Sequence, residues 1–147
     1  MKRPILPFLL FFSFFAKAQQ TFWLTDPQAT YKQAQEYYQK QYYSLAYPIF
    51  KELEQDQAAR PQLYESFNFE NVHYYNLVCS LNQDDSTAVH PAEFYIERDD
   101  NAARTEMLAY YLAEYHFRHG NYETALKLYE SSGIENLNNE EIANLKF

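Results

Sequence analysis

Leu112-Ala113-Glu114-Tyr115-His116-Phe117-Arg118-His119-Gly120-Asn121-Tyr122-Glu123-Thr124-Ala125-Leu126-Lys127-Leu128-Tyr129 is the stretch on which the reading of the fold depends. Just upstream, residues 107–113 are apolar nearly all round, as expected of a helix packed on two sides. Gly120 ends that helix. Asn121 opens the next, whose Tyr122, Ala125, Leu126 and Tyr129 recur at i, i+3, i+4 and i+7. Ala113 stands seven residues before the glycine and Ala125 five after it. Alanine on each helix lets the two axes approach, and the aromatics fill the space beside that contact.

The same arrangement recurs earlier. Gln41-Tyr42-Tyr43-Ser44-Leu45-Ala46, with Phe50 four residues on, matches Gly120 to Ala125 with Tyr129 four on. Ala34 precedes Gln41 by the same seven residues as Ala113 precedes Gly120. A middle copy is weaker. Asn76 stands where the small residue belongs and Asp85 where the tyrosine belongs, which leaves Ala88 and the helix spacing to carry it. The pattern places the three junctions at 41, 83 and 120, so they are 42 and 37 residues apart.

This resembles the tetratricopeptide repeat (TPR): a small residue, a turn glycine, tyrosine, alanine and a large aromatic. The family repeats at about 34 residues, so these copies are divergent, with longer connections. The resemblance covers residues 26–147 and implies an all-α chain of antiparallel helix pairs stacked as a short α-solenoid. It implies repeat packing at Ala34, Ala46, Phe50, Ala88, Ala113, Gly120, Tyr122, Ala125 and Tyr129. It also implies a concave binding face on the first helix of each pair, at Tyr31, Gln35, Tyr38, His73, Tyr110, Glu114 and Phe117. Exported helical-pair proteins of Bacteroidetes-like envelopes and of outer-membrane assembly factors are similar in texture.

Helix punctuation supplies the remaining boundaries. Asp26-Pro27 reads as an N-cap followed by proline at the first helical position, with the helix running to about 41. Ser44 is the expected cap of a second helix with Leu45, Ile49, Phe50 and Leu53 on its apolar face and Pro48 close to its start. A third helix is expected over 67–81. Asp84-Asp85-Ser86 supplies caps for a fourth reaching 98, and Asp99-Asp100-Asn101 for a fifth. Asn138-x-x-Glu141 resembles a capping box for a seventh, whose apolar Ile142 and Leu145 have no partner helix in the sequence. The expectation is three pairs plus a partial seventh helix, with further repeats or another chain completing the stack. A polar terminal helix is the alternative.

The N-terminus reads as an address. Met1-Lys2-Arg3 is basic, residues 5–15 are apolar apart from Ser13, and Ala16-Lys17-Ala18 places small residues where a signal peptidase reads. Residues 1–18 are expected to be a signal peptide, cleaved between Ala18 and Gln19, leaving 19–147 as the helical domain. An apolar run of eleven residues is too short for a span of about 20, so no membrane anchor follows from it. No cysteine lies at the cleavage point to be acylated. The expected location is the periplasm or the outer membrane, not as a lipoprotein.

Composition narrows the function. The chain has 147 residues and a net charge of −8, which becomes −11 without Lys2, Arg3 and Lys17, so nucleic acid is an unsuitable partner. Two glycines, Gly120 and Gly133, cannot build a phosphate-cradling loop or a dinucleotide fingerprint. Fifteen tyrosines and twelve phenylalanines suit aromatic helix packing. His116 and His119 share a helix face, but metal needs three or four converging ligands and Glu114 points elsewhere. His73 and His90 are isolated. The Asp84-Asp85 and Asp99-Asp100 pairs lack the alternation of a calcium loop and read as helix caps. None of the serines sits in a nucleophile-elbow context. Cys79, the single cysteine, lies in an apolar helical stretch and reads as a buried thiol. No catalytic residue, cofactor or metal is expected.

The resemblance therefore points to a non-enzymatic scaffold binding a protein or peptide, with the acidic surface favouring a basic partner. Two rivals are an envelope glycan-binding module using the same aromatics and the N-terminal part of a larger envelope assembly protein. A hydrolase is a third, supported by no motif.

Overall fold

The computed structural model describes residues 26–65 and 70–133. Residues 1–25, with the Ala18–Gln19 cleavage position, lie outside the described residues, as do the predicted start of the third helix and the seventh helix over 138–147. Among the described residues the chain is all-helical. Six α-helices pack against one another: α1 (Pro27–Gln39), α2 (Tyr43–Ala59), α3 (Glu70–Asn82), α4 (Val89–Arg98), α5 (Ala102–Arg118) and α6 (Tyr122–Ser131). Short 3-10 turns, Pro61–Tyr64 and Ser86–Ala88, precede α3 and α4.

Several helix starts follow the side chains named above. The Asp26 carboxylate accepts from the Gln28 N–H at 3.0 Å, with Pro27 next in line. Asn101 caps α5 through the Arg104 N–H at 3.1 Å. Asp85 caps the 3-10 turn before α4 through the Thr87 N–H, so α4 itself begins only at Val89. Two expectations fail here. Ser44 is not the cap of α2, because the helix already starts at Tyr43 and Tyr42 precedes it without a side-chain cap. Leu45 is half exposed, since the buried face of α2 falls on Ala46, Phe50 and Leu53. Pro48 sits well inside α2, where its missing N–H removes one ladder bond.

The three junctions share one backbone geometry. Gln41, Asp84 and Gly120 have φ of 59°, 57° and 77°. Each donates to the carbonyl three residues back, and the next residue donates to the carbonyl five back: Tyr42 to Tyr37 at 2.8 Å, Asp85 to Ser80 at 3.0 Å and Asn121 to His116 at 2.9 Å. These are three Schellman motifs. The middle one is centred on Asp84, one residue later than the sequence pattern places it. Left-handed backbone at a side-chain-bearing residue carries a cost of about 1–2 kcal/mol. Gln41→Gly is therefore expected to raise stability by about 1 kcal/mol and Gly120→Ala to lower it by about as much, both readable by urea unfolding.

Packing follows from these junctions. α1 lies on α2, α2 on α3, α3 and α4 on α5, and α5 on α6, whereas α3 and α4 touch only slightly. Ala34, Ala46, Ala113 and Ala125 are all fully buried, as is Ala92 on α4. Phe50 is also fully buried, stacked on Tyr75 of α3 with ring centroids 5.2 Å apart. Two neighbouring carboxylates tie the junctions together. Asp85 accepts from the Tyr47 hydroxyl of α2 at 2.7 Å, while Asp84 pairs with Arg118 of α5 at 3.0 Å. Arg118 also donates to the Leu81 carbonyl at 2.7 Å.

Candidate interaction surfaces

The residues expected to line one concave face fall into separate clusters. Tyr31 and Gln35 of α1 lie half-buried, with the Gln35 amide donating to the Tyr31 hydroxyl at 3.1 Å. The Tyr31 ring meets Phe50 edge-on at 6.2 Å and Tyr75 at 6.5 Å. Burial, aided by the neighbouring Tyr75 phenol and opposed by a hydrogen bond with Asn71, pushes the Tyr31 hydroxyl up to about 12. Asn71 in turn accepts from Arg104 of α5 at 2.6 Å. This first cluster thus runs Tyr31, Gln35, Asn71, Tyr75 and Arg104 across α1, α3 and α5.

Tyr38 is not on that surface. It is 2% exposed, with its ring 4.6 Å from Tyr75 and 5.6 Å from Tyr43, so it is core and cannot meet a partner. His73 is also displaced. Its Nδ1 lies 2.5 Å from Glu54 of α2, Asn76 donates to the other Glu54 oxygen, and Tyr95 of α4 stands 5.7 Å away. The cause is the junction at Asp84: counted from there, Tyr74 takes the position of Tyr31 and Tyr110, and Tyr74 is buried.

On α5, Glu114 accepts from the Tyr129 hydroxyl, and the Tyr110 ring lies 5.9 Å from that of Tyr129. Burial first, then the Glu114 carboxylate, raises both phenols above their ordinary range. Phe117 is exposed and meets Tyr122 edge-on at 5.5 Å. Tyr122 is itself 64% exposed, so it does not fill the repeat core as expected; the aromatic contact it makes lies on the surface. Gly120 and Ala88 sit at the junctions described above.

The remaining titratable groups have structural settings. His116 is buried, which lowers its pKa, and its Nδ1 lies 3.4 Å from the Asn121 amide. His119 stacks on Tyr115 at 4.2 Å. Among the described residues no three His, Cys, Asp or Glu side chains group as metal ligands, and no helix is long and apolar enough to cross a membrane. Cys79 is buried, and burial pushes its thiol up. Asp99 accepts from the Asn101 N–H at 2.7 Å, in keeping with a turn role.

Asp85 has a consequence for acid stability. Hydrogen bonds from the Thr87 hydroxyl, the Tyr47 hydroxyl and the Thr87 N–H hold its carboxyl below the usual value. A depressed carboxylate contributes stability that is present above its unfolded pKa of about 4 and is lost as pH falls through the folded value. The thermal midpoint is expected to drop below about pH 4, and Asp85→Asn to flatten part of that drop.

Asn71, Tyr75 and Arg104, all half-buried, are not legible from the sequence as members of the first cluster. The middle copy offers no small residue to set the α3 register, and Arg104 lies in the first turn of α5, ahead of the repeat signature. Comparison with protein-family models, with curated proteins and with solved structures finds no match to the chain.

Proposed function

We propose that the protein is an exported, non-enzymatic TPR-like scaffold that binds another protein or peptide of the cell envelope through the surfaces of its helix pairs. The observation that carries this reading is the threefold Schellman junction, flanked in the first and third pairs by the same buried alanines. A chain built of stacked helix pairs offers extended surfaces rather than a closed cleft. The basic-apolar-small pattern of residues 1–18 supports export to the periplasm or outer membrane, and the lack of a cysteine at the cleavage point argues against lipid anchoring there. The net charge of −8 favours a basic partner.

Two aromatics of α5, Tyr110 and Phe117, provide the test. Tyr110→Ala combined with Phe117→Ala is expected to abolish capture of the partner from an envelope extract while leaving far-UV helicity intact, because Phe117 is exposed and Tyr110 only half-buried. Capture by the double variant equal to that by the parent protein would reject this face. Loss of helicity would instead show the two rings to be core.

A further inference from the structure

Counted from their junctions, Gln41 and Gly120, the first and third pairs place aromatic or large apolar residues at the same positions, and among the described residues only the first set is covered. Tyr38 corresponds to Phe117, Tyr43 to Tyr122 and Tyr47 to Leu126. In the first pair Tyr38 is buried against Tyr75 of α3. Tyr43 meets Tyr111 of α5, hydroxyl to hydroxyl at 3.2 Å, and Tyr47 donates to Asp85 ahead of α4. In the third pair the counterparts are 54%, 64% and 58% exposed. A helix lying where α3 lies on α1–α2 would cover Phe117, as Tyr75 covers Tyr38; the cover of Tyr43 and Tyr47 comes from α5 and from the turn ahead of α4.

The charges around this face have also changed. Gln35, beside Tyr31, becomes Glu114, and Lys51, which reaches the Tyr47 hydroxyl at 2.8 Å, becomes Glu130. Glu123 is matched by Lys127 at 2.7 Å and Arg118 by Asp84 at 3.0 Å, so Glu114 and Glu130 set the sign at the rim. We infer that the outer face of α5–α6 is a docking site for a basic amphipathic helix of a partner protein, seated as α3 is on α1–α2 and presenting an aromatic in the role of Tyr75. The two acidic replacements favour a helix more basic than α3 on this face. This rests on the scaffold reading and names the partner's chemistry.

The probe is a stapled helical peptide with the sequence of residues 70–82 carrying His73→Lys and Asn76→Lys, titrated by fluorescence anisotropy into the full chain. Saturable binding is expected, weakened about tenfold or more by Phe117→Ala and unchanged by Gln35→Ala. Phe117 is exposed, so the variant should keep its helicity and thermal midpoint, which circular dichroism checks. No saturable binding, or equal binding to Phe117→Ala, overturns the inference. Binding lost in Gln35→Ala instead moves the seat to the first cluster and leaves the scaffold reading standing. A rise in affinity with Ile142→Asp plus Leu145→Asp would assign the face to this chain's own residues 138–147. A dimer in sedimentation, dissolved by Phe117→Ala, would assign it to a second copy. Either result overturns the partner assignment.

Discussion

Phe50→Ala is expected to destabilise the protein by about 3–5 kcal/mol, measured by urea or thermal unfolding. Its ring is fully buried and contacts three others: stacked on Tyr75 at 5.2 Å, and edge-on to Tyr31 at 6.2 Å and Tyr38 at 6.4 Å. These partners come from α1 and α3, so one side chain on α2 joins both of those helices. Truncation removes the transfer free energy of the ring and leaves a cavity that rings fixed on neighbouring helices fill poorly. Tyr129, at the equivalent place on α6, is only half-buried and should cost less on truncation to alanine. A loss below about 1 kcal/mol for Phe50→Ala would mean that α3 is not seated on α1–α2 as described.

The second large effect comes from adding atoms. Ala113→Leu is expected to cost about 2–3 kcal/mol, because Ala113 is fully buried on a helix that packs against α3, α4 and α6. Three extra carbons there push axes apart instead of filling a void. The change should also cut the cooperativity of unfolding, since α6 would detach before the rest. Ala113→Gly, which adds nothing, should cost only about 1 kcal/mol through helix propensity. A similar loss for both variants would show that close approach at this alanine is not what joins α5 to α6.

How far the sequence reveals this fold depends on which residue occupies the junction. Gly120 announces a left-handed turn, and Gln41 could be matched to it through the flanking Ala34, Ala46 and Phe50. Asp84 announces a helix cap, because aspartate more often accepts from a following N–H than adopts positive φ. It does adopt positive φ here, and the one-residue slip sends the predicted surface position to His73 instead of the buried Tyr74. Tyr38 and Tyr122 fail for a different reason. Their surroundings depend on whether another helix packs over them, which is information about packing and not about local spacing. Tyr38 is covered by α3, whereas nothing among the described residues covers Tyr122 to the same extent. Asp85 and Arg118, which link the junctions across 38 and 34 residues of chain, leave no local pattern at all.

Among the described residues the third helix pair repeats the junction of the first but lacks its cover. Hydroxyl-radical footprinting of the native full chain, mapped by mass spectrometry, tests this most directly by comparing tyrosines at equivalent positions. Rapid modification of Tyr122 is expected, with Tyr38 protected and Tyr43 intermediate, in line with their burial. Equal protection of Tyr122 and Tyr43 would contradict it.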